Sequence, residues 1–461
     1  MSVQYAGEYK LLECKIMSST GAVARLDDKV ISFQIYENLF SQSILASMSI
    51  IDNTNMVMKM PFIGQEFVAL KIETPGIGEI NFSDNLFAVT NIKVRQDVSN
   101  DTQIYDLSLV STESLRNART RTSKSYSGAV SSIVTNILRD ENLIDTNKNI
   151  YVDKTSGSRK FVAANSRPFR FIRNLTRECT SEENKGSPHY FFYENCKGFQ
   201  FRCLDGLYRK PTNGTFVADS EGIAEDGNNV SRGNIEKDYR RILSFSISRT
   251  NDTLLSTMGG LLGSNLIKYN IFHKNYQTYN FNYFKKFKEF GRIDKNPIYN
   301  NTVIDRRSNS MGNFPSSKIH LHPTSNNGLN DTQYYDSDIG YHYKDNGIEQ
   351  WLQSSRSKSL ELNGGMNIQL KIHGYSELAV GDMVNIELPI TGTDHDDEQI
   401  DTMYNGRFLI TQLKHDFNQS ERQHRILMSV VKDSIPEKFK NTKSSEELRG
   451  KKGKTYTPSY T

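Results

Sequence analysis

Phe87-Ala-Val-Thr-Asn-Ile-Lys93 and Phe408-Leu-Ile-Thr-Gln-Leu-Lys414 are two distant stretches with one pattern. Phe, Thr and Lys coincide in register, and the remaining apolar positions agree in type. Each reads as a strand, because apolar and polar residues alternate and successive side chains of a strand face opposite ways. Further along, each copy has another strand-like run, at 105–110 and 425–430. Upstream, each has a glycine that opens a strand, in Ile63-Gly-Gln-Glu-Phe67 and Val380-Gly-Asp-Met-Val384. Amphipathic strands resemble one another easily. The common order and the nearly constant spacing therefore carry the expectation, which is an internal duplication with one β-barrel towards each end of the chain.

The flanking sequence supports a β-rich chain. Ile31, Phe33 and Ile35 alternate with polar residues, and so do Ile44, Ala46, Met48 and Ile50. Leu45 and Ile51 lie in the opposite phase, which predicts that this strand is covered on both faces. Asp52-Asn-Thr-Asn55 offers caps for a short helix over 56–60. The pattern changes after Ser111. Val130, Val134, Ile137 and Leu138 share a helical face. Pro168 opens a second helix that turns Phe169, Ile172, Leu175 and Cys179 inward. An aromatic hairpin follows at 190–203, so 113–212 reads as a small α/β unit. Residues 213–240 are rich in Gly, Asn, Asp and Glu and read as a linker. Asn251-Asp-Thr253 caps a helix that stops at Gly259-Gly260. Residues 308–345 read as polar loop and 347–359 as a helix containing Trp351. Strands return at 368–372, 383–388, 408–413 and 426–431.

Composition narrows the function. The chain has 461 residues, with 57 Lys or Arg against 53 Asp or Glu, 24 Phe, 23 Tyr and a single Trp. Its length fits two to four compact units. Residues 432–461 hold eight Lys or Arg against four Asp or Glu, so the remaining body is close to neutral. A neutral body argues against a dedicated DNA-binding domain. The four cysteines form no C-x-x-C pair, which fits a reducing compartment; Cys196 and Cys203 flank a hairpin turn, which leaves a bridge between them open. No secretion signal or membrane-length apolar run is apparent.

No motif assigns catalysis. Gly450-Lys-Lys-Gly-Lys-Thr455 approaches a phosphate loop, but Leu448 stands where the first glycine belongs, so it reads as a charged tail. His320 and His322 alternate, as two metal ligands on a strand would. With no nearby Cys and with Pro323 following, they read as a polar loop edge. Asp394-His-Asp-Asp-Glu398 lacks the spacing and glycine of a calcium loop and reads as a solvated turn. Neither H-E-x-x-H nor G-x-S-x-G occurs. Trp351 and the aromatic hairpin read as core. The expectation is no catalytic residue, no cofactor and no metal.

In order along the chain, Tyr36-Glu-Asn-Leu-Phe-Ser41, Ser49-Ile-Ile-Asp52, Met60-Pro-Phe-Ile-Gly64, Lys124-Ser-Tyr-Ser-Gly128, Pro168-Phe-Arg-Phe-Ile172, Tyr190-Phe-Phe-Tyr193, Gly198-Phe-Gln-Phe-Arg202, Val380-Gly-Asp-Met-Val-Asn-Ile-Glu-Leu-Pro389 and Val430-Val-Lys-Asp433 resemble the baseplate hub protein of contractile-tailed, T-even-type phages. The likeness spans most of 1–435 and rests on the order of the motifs. It implies a β-rich α+β fold: two tail-tube-like β-barrels from an internal duplication plus a small α/β insert domain. The expected units are a first barrel at 1–112, the α/β domain at 113–212 and a linker at 213–240. The second barrel starts in 241–365, around a helical and loop-rich insertion, and ends in 366–432; a basic extended tail fills 433–461.

The resemblance also implies a structural virion protein assembled in the host cytoplasm. Its subunits would form a homotrimer whose pseudo-six-fold ring joins the tail tube or a tube initiator above to a central spike below. Neighbouring baseplate proteins would surround it, and DNA would pass its lumen without sequence-specific binding. Two rival classes are a cell-wall-degrading tail enzyme and a spike or hub component of a type VI-like secretion system.

Overall fold

The computed structural model describes residues 5–54, 56, 60, 62–99, 102–184, 187–218, 235–249, 252–270, 274–303, 309–324, 348–389 and 403–437. The first part is all strand: β1 Lys10–Met17, β2 Val23–Arg25, β3 Val30–Asn38, β4 Leu45–Asp52, β5 Phe67–Thr74, β6 Gly78–Asn81, β7 Phe87–Ser99 and β8 Thr102–Ser111. Alternation dictates their faces. In β5, Val68, Leu70 and Ile72 point into a core shared with Phe33, Ile35, Phe87 and Leu107. Of the expected helix at 56–60 only Met56 and Met60 are described; Asp52 accepts the Met56 amide at 2.6 Å, as a cap would.

The next part contains β9 Thr122–Gly128, the helix Val130–Arg139, β10 Ile150–Val152, β11 Arg159–Ser166, the helix Pro168–Leu175 and the hairpin β12 Tyr190–Asn195 with β13 Gly198–Cys203. Pro168 stands in the first turn of its helix, where its missing N–H costs nothing. Phe169, Ile172, Leu175 and Cys179 are buried in one cluster with Val134, Ile137, Phe192 and Phe201. Cys196 lies at the turn and Cys203 at the opposite end of this hairpin, paired in register with Tyr190. All four cysteines are free thiols.

The last part comprises β14 Thr212–Val217, β15 Ile242–Arg249, β16 Gly263–Asn270, β17 Asn275–Asn282, β18 Asn296–Pro297, β19 Ile319–Thr324, the helix Ile348–Gly364, β20 Met366–His373, β21 Met383–Glu387, β22 Gly406–Asn418, β23 Gln423–Lys432 and β24 Ser434–Ile435. Asp252 caps the helix Thr253–Gly259 by accepting from the Leu255 amide. That helix ends at Gly260, whose φ of 89° is left-handed.

One large sheet runs β15-β20-β23-β22-β3-β4-β8-β7-β5-β1-β2, with β21 beside β22, β14 beside β21 and β6 beside β5. Within it the pairing order β3-β4-β8-β7-β5 is repeated by β15-β20-β23-β22-β21. Numbered by chain order within each run, both read 1-2-5-4-3. Phe87 faces Val68 across β7 and β5, and Phe408 faces Val384 across β22 and β21. The ladder between β7 and β8 skips at Thr90, and that between β22 and β23 skips at Thr411. The runs join where β22, past its short ladder with β21, pairs antiparallel with β3, from Gln412 opposite Asn38 to Asn418 opposite Ser32.

Several expectations need correction. Residues 213–217, read as the start of the linker, belong to the strand Thr212–Val217, which is parallel to β21; residues 219–234 of that stretch lie outside the described residues. The loop region 308–345 contains β19, which pairs in parallel with β16 and so carries His320 and His322 on a strand. Pro323 is tolerated there because β19 is an edge strand. The tail does not begin at 433: Ser434 and Ile435 pair with Pro297 and Asn296 and are buried. Residues 438–461 lie outside the described residues. Leu45 and Ile51 are not covered; they are 51% and 36% exposed on the outward face of β4. No described helix is long and apolar enough to cross a membrane.

Candidate functional site

The seam between the two runs presents a continuous outward surface. One cross-strand row crosses it: Leu45 faces Tyr36, Tyr36 faces Lys414, Lys414 faces Leu427, Leu427 faces Lys371, and Lys371 faces Ser244. Lys414 Nζ lies 5.6 Å from the Tyr36 ring centre, a cation–π distance. The next row is polar. Ser47 Oγ donates to Gln34 Oε1 at 3.3 Å, and Gln34 Nε2 donates to Asp416 Oδ1 at 3.0 Å. A groove of about 620 Å³ follows the first row. Mixed, half-exposed apolar and charged side chains on a built sheet face mark a contact surface more than a solvated one.

Beneath the seam, buried charges tie the parts together. Lys148 Nζ lies 2.6 Å from Glu194 Oε1 and 2.7 Å from Glu113 Oε2, and donates to Ser111 Oγ at 2.8 Å. Glu194, on β12, also accepts the Ile44 amide at 3.1 Å, so the hairpin is bonded to the loop before β4. Burial opposes every charge here. Lys148 and the hydroxyls overcome it at Glu113, whose carboxyl stays below the usual range; the two carboxylates likewise raise Lys148. Burial prevails at Glu194, whose carboxyl is raised.

A second network pins the end of β23. Arg292 pairs with Glu361 and, at 3.3 Å, with Asp433. Lys432 Nζ donates to the Asn405 carbonyl at 2.6 Å and pairs with Asp294 at 3.0 Å. Lys358 pairs with Asp205, joining the long helix to the end of the hairpin. The motif residues Lys432 and Asp433 are therefore buried anchors.

Glu37, Cys196 and His415 form a third cluster, with one potential ligand atom from each mutually within 4.8 Å. Glu37 accepts the Cys196 amide at 2.6 Å and the Val380 amide at 2.8 Å. Burial pushes its carboxyl up to about 7, pushes the Cys196 thiol well above its ordinary value, and pushes His415 down to about 3. From the sequence, Cys196 stood out only as a bridge candidate with Cys203, and Glu37 and His415 not at all as ligands. Leu413, His415 and Phe417 occupy alternate positions of β22, and that phase alone marks His415 as inward.

The candidates considered and set aside from sequence are scattered. His320 and His322 are consecutive alternates on β19, and burial lowers His320. Trp351 packs against Leu266 and Ile348. Phe192 and Phe199 of the hairpin are buried. The stretches 394–398 and 450–455 lie outside the described residues.

No protein-family model matches the chain, and no curated protein matches it. Solved structures do. The tail protein from Neisseria meningitidis MC58 superposes with a TM-score of 0.50 at 10% identity, over 92% of this chain and 97% of that one. The 43 kDa tail protein of prophage MuSo2 from Shewanella oneidensis gives 0.49 at 8% identity, over 92% and 99%. The E. coli c3393 protein, a component of the type VI secretion system, gives 0.41 at 11% identity, over 93% and 79%. At these identities the likeness is one of fold. The chain has the antiparallel, β-rich fold of the Neisseria tail protein, over nearly the whole of both chains.

Proposed function

We propose that the chain is a structural, non-enzymatic subunit of a phage tail baseplate. It forms a homotrimeric hub that joins the six-fold tail tube, or its initiator, to a three-fold central spike, with neighbouring baseplate proteins around it. The observation that carries this reading is the repeated strand order. Two runs with the permutation 1-2-5-4-3 stand side by side in one sheet through β22 and β3. We read them as two tube-like barrels from one duplication, with 113–212 as the inserted α/β domain. Three such chains in a closed ring present six equivalent runs, so a three-fold object meets a six-fold one with repeated contacts.

The outward rows support the same reading. Hydrogen-bonded serine, glutamine and aspartate, as in Ser47, Gln34 and Asp416, suit a wall past which DNA slides without sequence-specific binding. The fold shared with a tail protein is compatible with this placement in the virion. Native mass measurement of the purified chain, alone and with its spike, tests it. Three copies are expected; a chain that stays monomeric in both conditions overturns the ring.

A further inference from the structure

We propose that Glu37, Cys196 and His415 form a binding site for a divalent transition-metal ion of the zinc type, set where the two strand runs meet the α/β hairpin. The three residues come from three separate parts of the fold: Glu37 from β3, Cys196 from the turn between β12 and β13, and His415 from β22. One oxygen, one sulfur and one nitrogen donor is a set that borderline ions of this class accept. One ligand atom from each already lies within 4.8 Å of the others. Bonds of about 2.0–2.3 Å place tetrahedral donors roughly 3.3–3.8 Å apart. Side-chain rotations bring them in.

Two further observations point to a cation. His415 is fully buried, and its Nε2 has no hydrogen-bond partner. A buried ring nitrogen without a partner is costly and rare. Its other nitrogen, Nδ1, lies 3.1 Å from His424 Nε2. An Nδ1–H donated to that neighbour leaves the Nε2 lone pair free, which is how ligating histidines are oriented. The second observation is charge. Glu37 is 2% exposed and has no ion pair among the described residues. Backbone amides from Cys196 and Val380 solvate its oxygens but bring no positive charge.

The exchange balances. Without metal, Cys196 is a free thiol. On binding, the ion forms bonds to sulfur, oxygen and nitrogen, and the thiol proton leaves to solvent. One thiolate and one carboxylate neutralise the dication, and His415 stays neutral. Cys196 is half-buried, so a water fills the fourth position from its side. Such an ion would clamp both runs to the hairpin, and the site does not depend on the hub reading.

Cobalt(II) titration of the chelator-stripped full-length protein tests the site. One equivalent is expected to bring up a thiolate-to-cobalt charge-transfer band and tetrahedral d–d bands, which added zinc(II) erases. Cys196→Ser and Cys196→Ala, each checked for native circular dichroism, should lose the charge-transfer band. Cys203→Ser should keep it, and His415→Gln should weaken cobalt binding by about tenfold or more. Absence of the band from the wild-type protein, or its persistence in both Cys196 variants, overturns the proposal.

Discussion

Thr90 and Thr411 donate equivalent hydrogen bonds: each hydroxyl reaches the carbonyl oxygen eighteen residues ahead, Ser108 and Ser429, at 3.1 Å in both cases. Each threonine is the residue that the neighbouring ladder skips, so its hydroxyl supplies the hydrogen bond that the bulge denies to the backbone. The two sites differ in burial, since Thr411 is 3% exposed and Thr90 is open to solvent. Thr411→Val should therefore destabilise the protein by about 1–2 kcal/mol, because the Ser429 carbonyl is left without a partner that water can replace. Thr90→Val should cost less than about 0.5 kcal/mol. Urea unfolding of the two variants checks the ratio; equal costs contradict it.

The glycines that open β5 and β21 make a second matched pair. Gly64 and Gly381 have φ of 87° and 86°, a region that side chains avoid. At Gly64 a methyl group would come no closer than 3.7 Å to the Thr90 carbonyl oxygen, whereas at Gly381 it would run into the Tyr193 hydroxyl. Gly64→Ala should cost about 1 kcal/mol, from the backbone alone. Gly381→Ala adds a collision with a fully buried ring and should cost at least twice as much. Thermal unfolding of both proteins measures the difference.

Among the described residues, Lys148 is the one cation paired with Glu113 and Glu194. Lys148→Met should cost about 3–5 kcal/mol, since it strands two buried carboxylates. The network also sets a pH window. Glu113 is held below its ordinary value, so its contribution is full above about 4.5 and is lost as pH falls through the lower folded value. Lys148 is raised, so its contribution is full below about 10.5 and is lost as pH rises through the higher folded value. Denaturation midpoints of wild-type and Lys148→Met proteins should differ most between these limits; a constant difference from pH 3 to pH 11 sinks this account.

Much of this was legible in the sequence because it is local. Alternation in 67–72 or 408–413, the proline of 168 and the Asp252 cap each act within a few residues, and each predicted element formed. The repeated strand order has a trace in the sequence because Phe87-Thr90-Lys93 and Phe408-Thr411-Lys414 keep one phase. What stayed hidden depends on distant partners. Leu45 reads as buried by composition and is exposed because nothing among the described residues covers that row. Ser434 and Ile435 carry no periodicity; they are a strand only because Asn296 and Pro297 receive them. The cluster of Glu37, Cys196 and His415 unites three parts of the fold, and no spacing in the chain brings them together.

His189, His415 and His424 are buried and held neutral, the first two at about 3 and the third well below its ordinary value, in each case first by desolvation. A depressed folded value means that the unfolded chain binds protons more readily. The stability carried by each neutral ring is full above about 6.5 and is lost as pH falls towards 3. The melting temperature should therefore drop between pH 7 and pH 5, where most exposed carboxylates have not yet titrated. His424→Phe, which stacks on Phe417 as the native ring does at 4.0 Å, should flatten this drop. An unchanged slope in that variant rejects the assignment.

The ends of β23 and β24 give the sharpest test of where the folded chain stops. Asp433 pairs with Arg292 and accepts the Ile293 amide at 3.2 Å, Ser434 Oγ accepts the Asp294 amide at 2.7 Å, and Ile435 is buried against Met366 and Ile298. Removing residues 438–461 leaves every one of these interactions in place, so the shortened protein should still unfold in one cooperative transition. Removing residues from 433 onward leaves Arg292 with Glu361 alone, two amides unpaired and a gap beside Met366. Each of those changes costs on the order of 1–3 kcal/mol. Together they approach the whole stability of an ordinary domain, and the shorter protein should be insoluble or protease-sensitive. A truncation from 433 that melts like the full chain would show that this buried strand contributes nothing to stability.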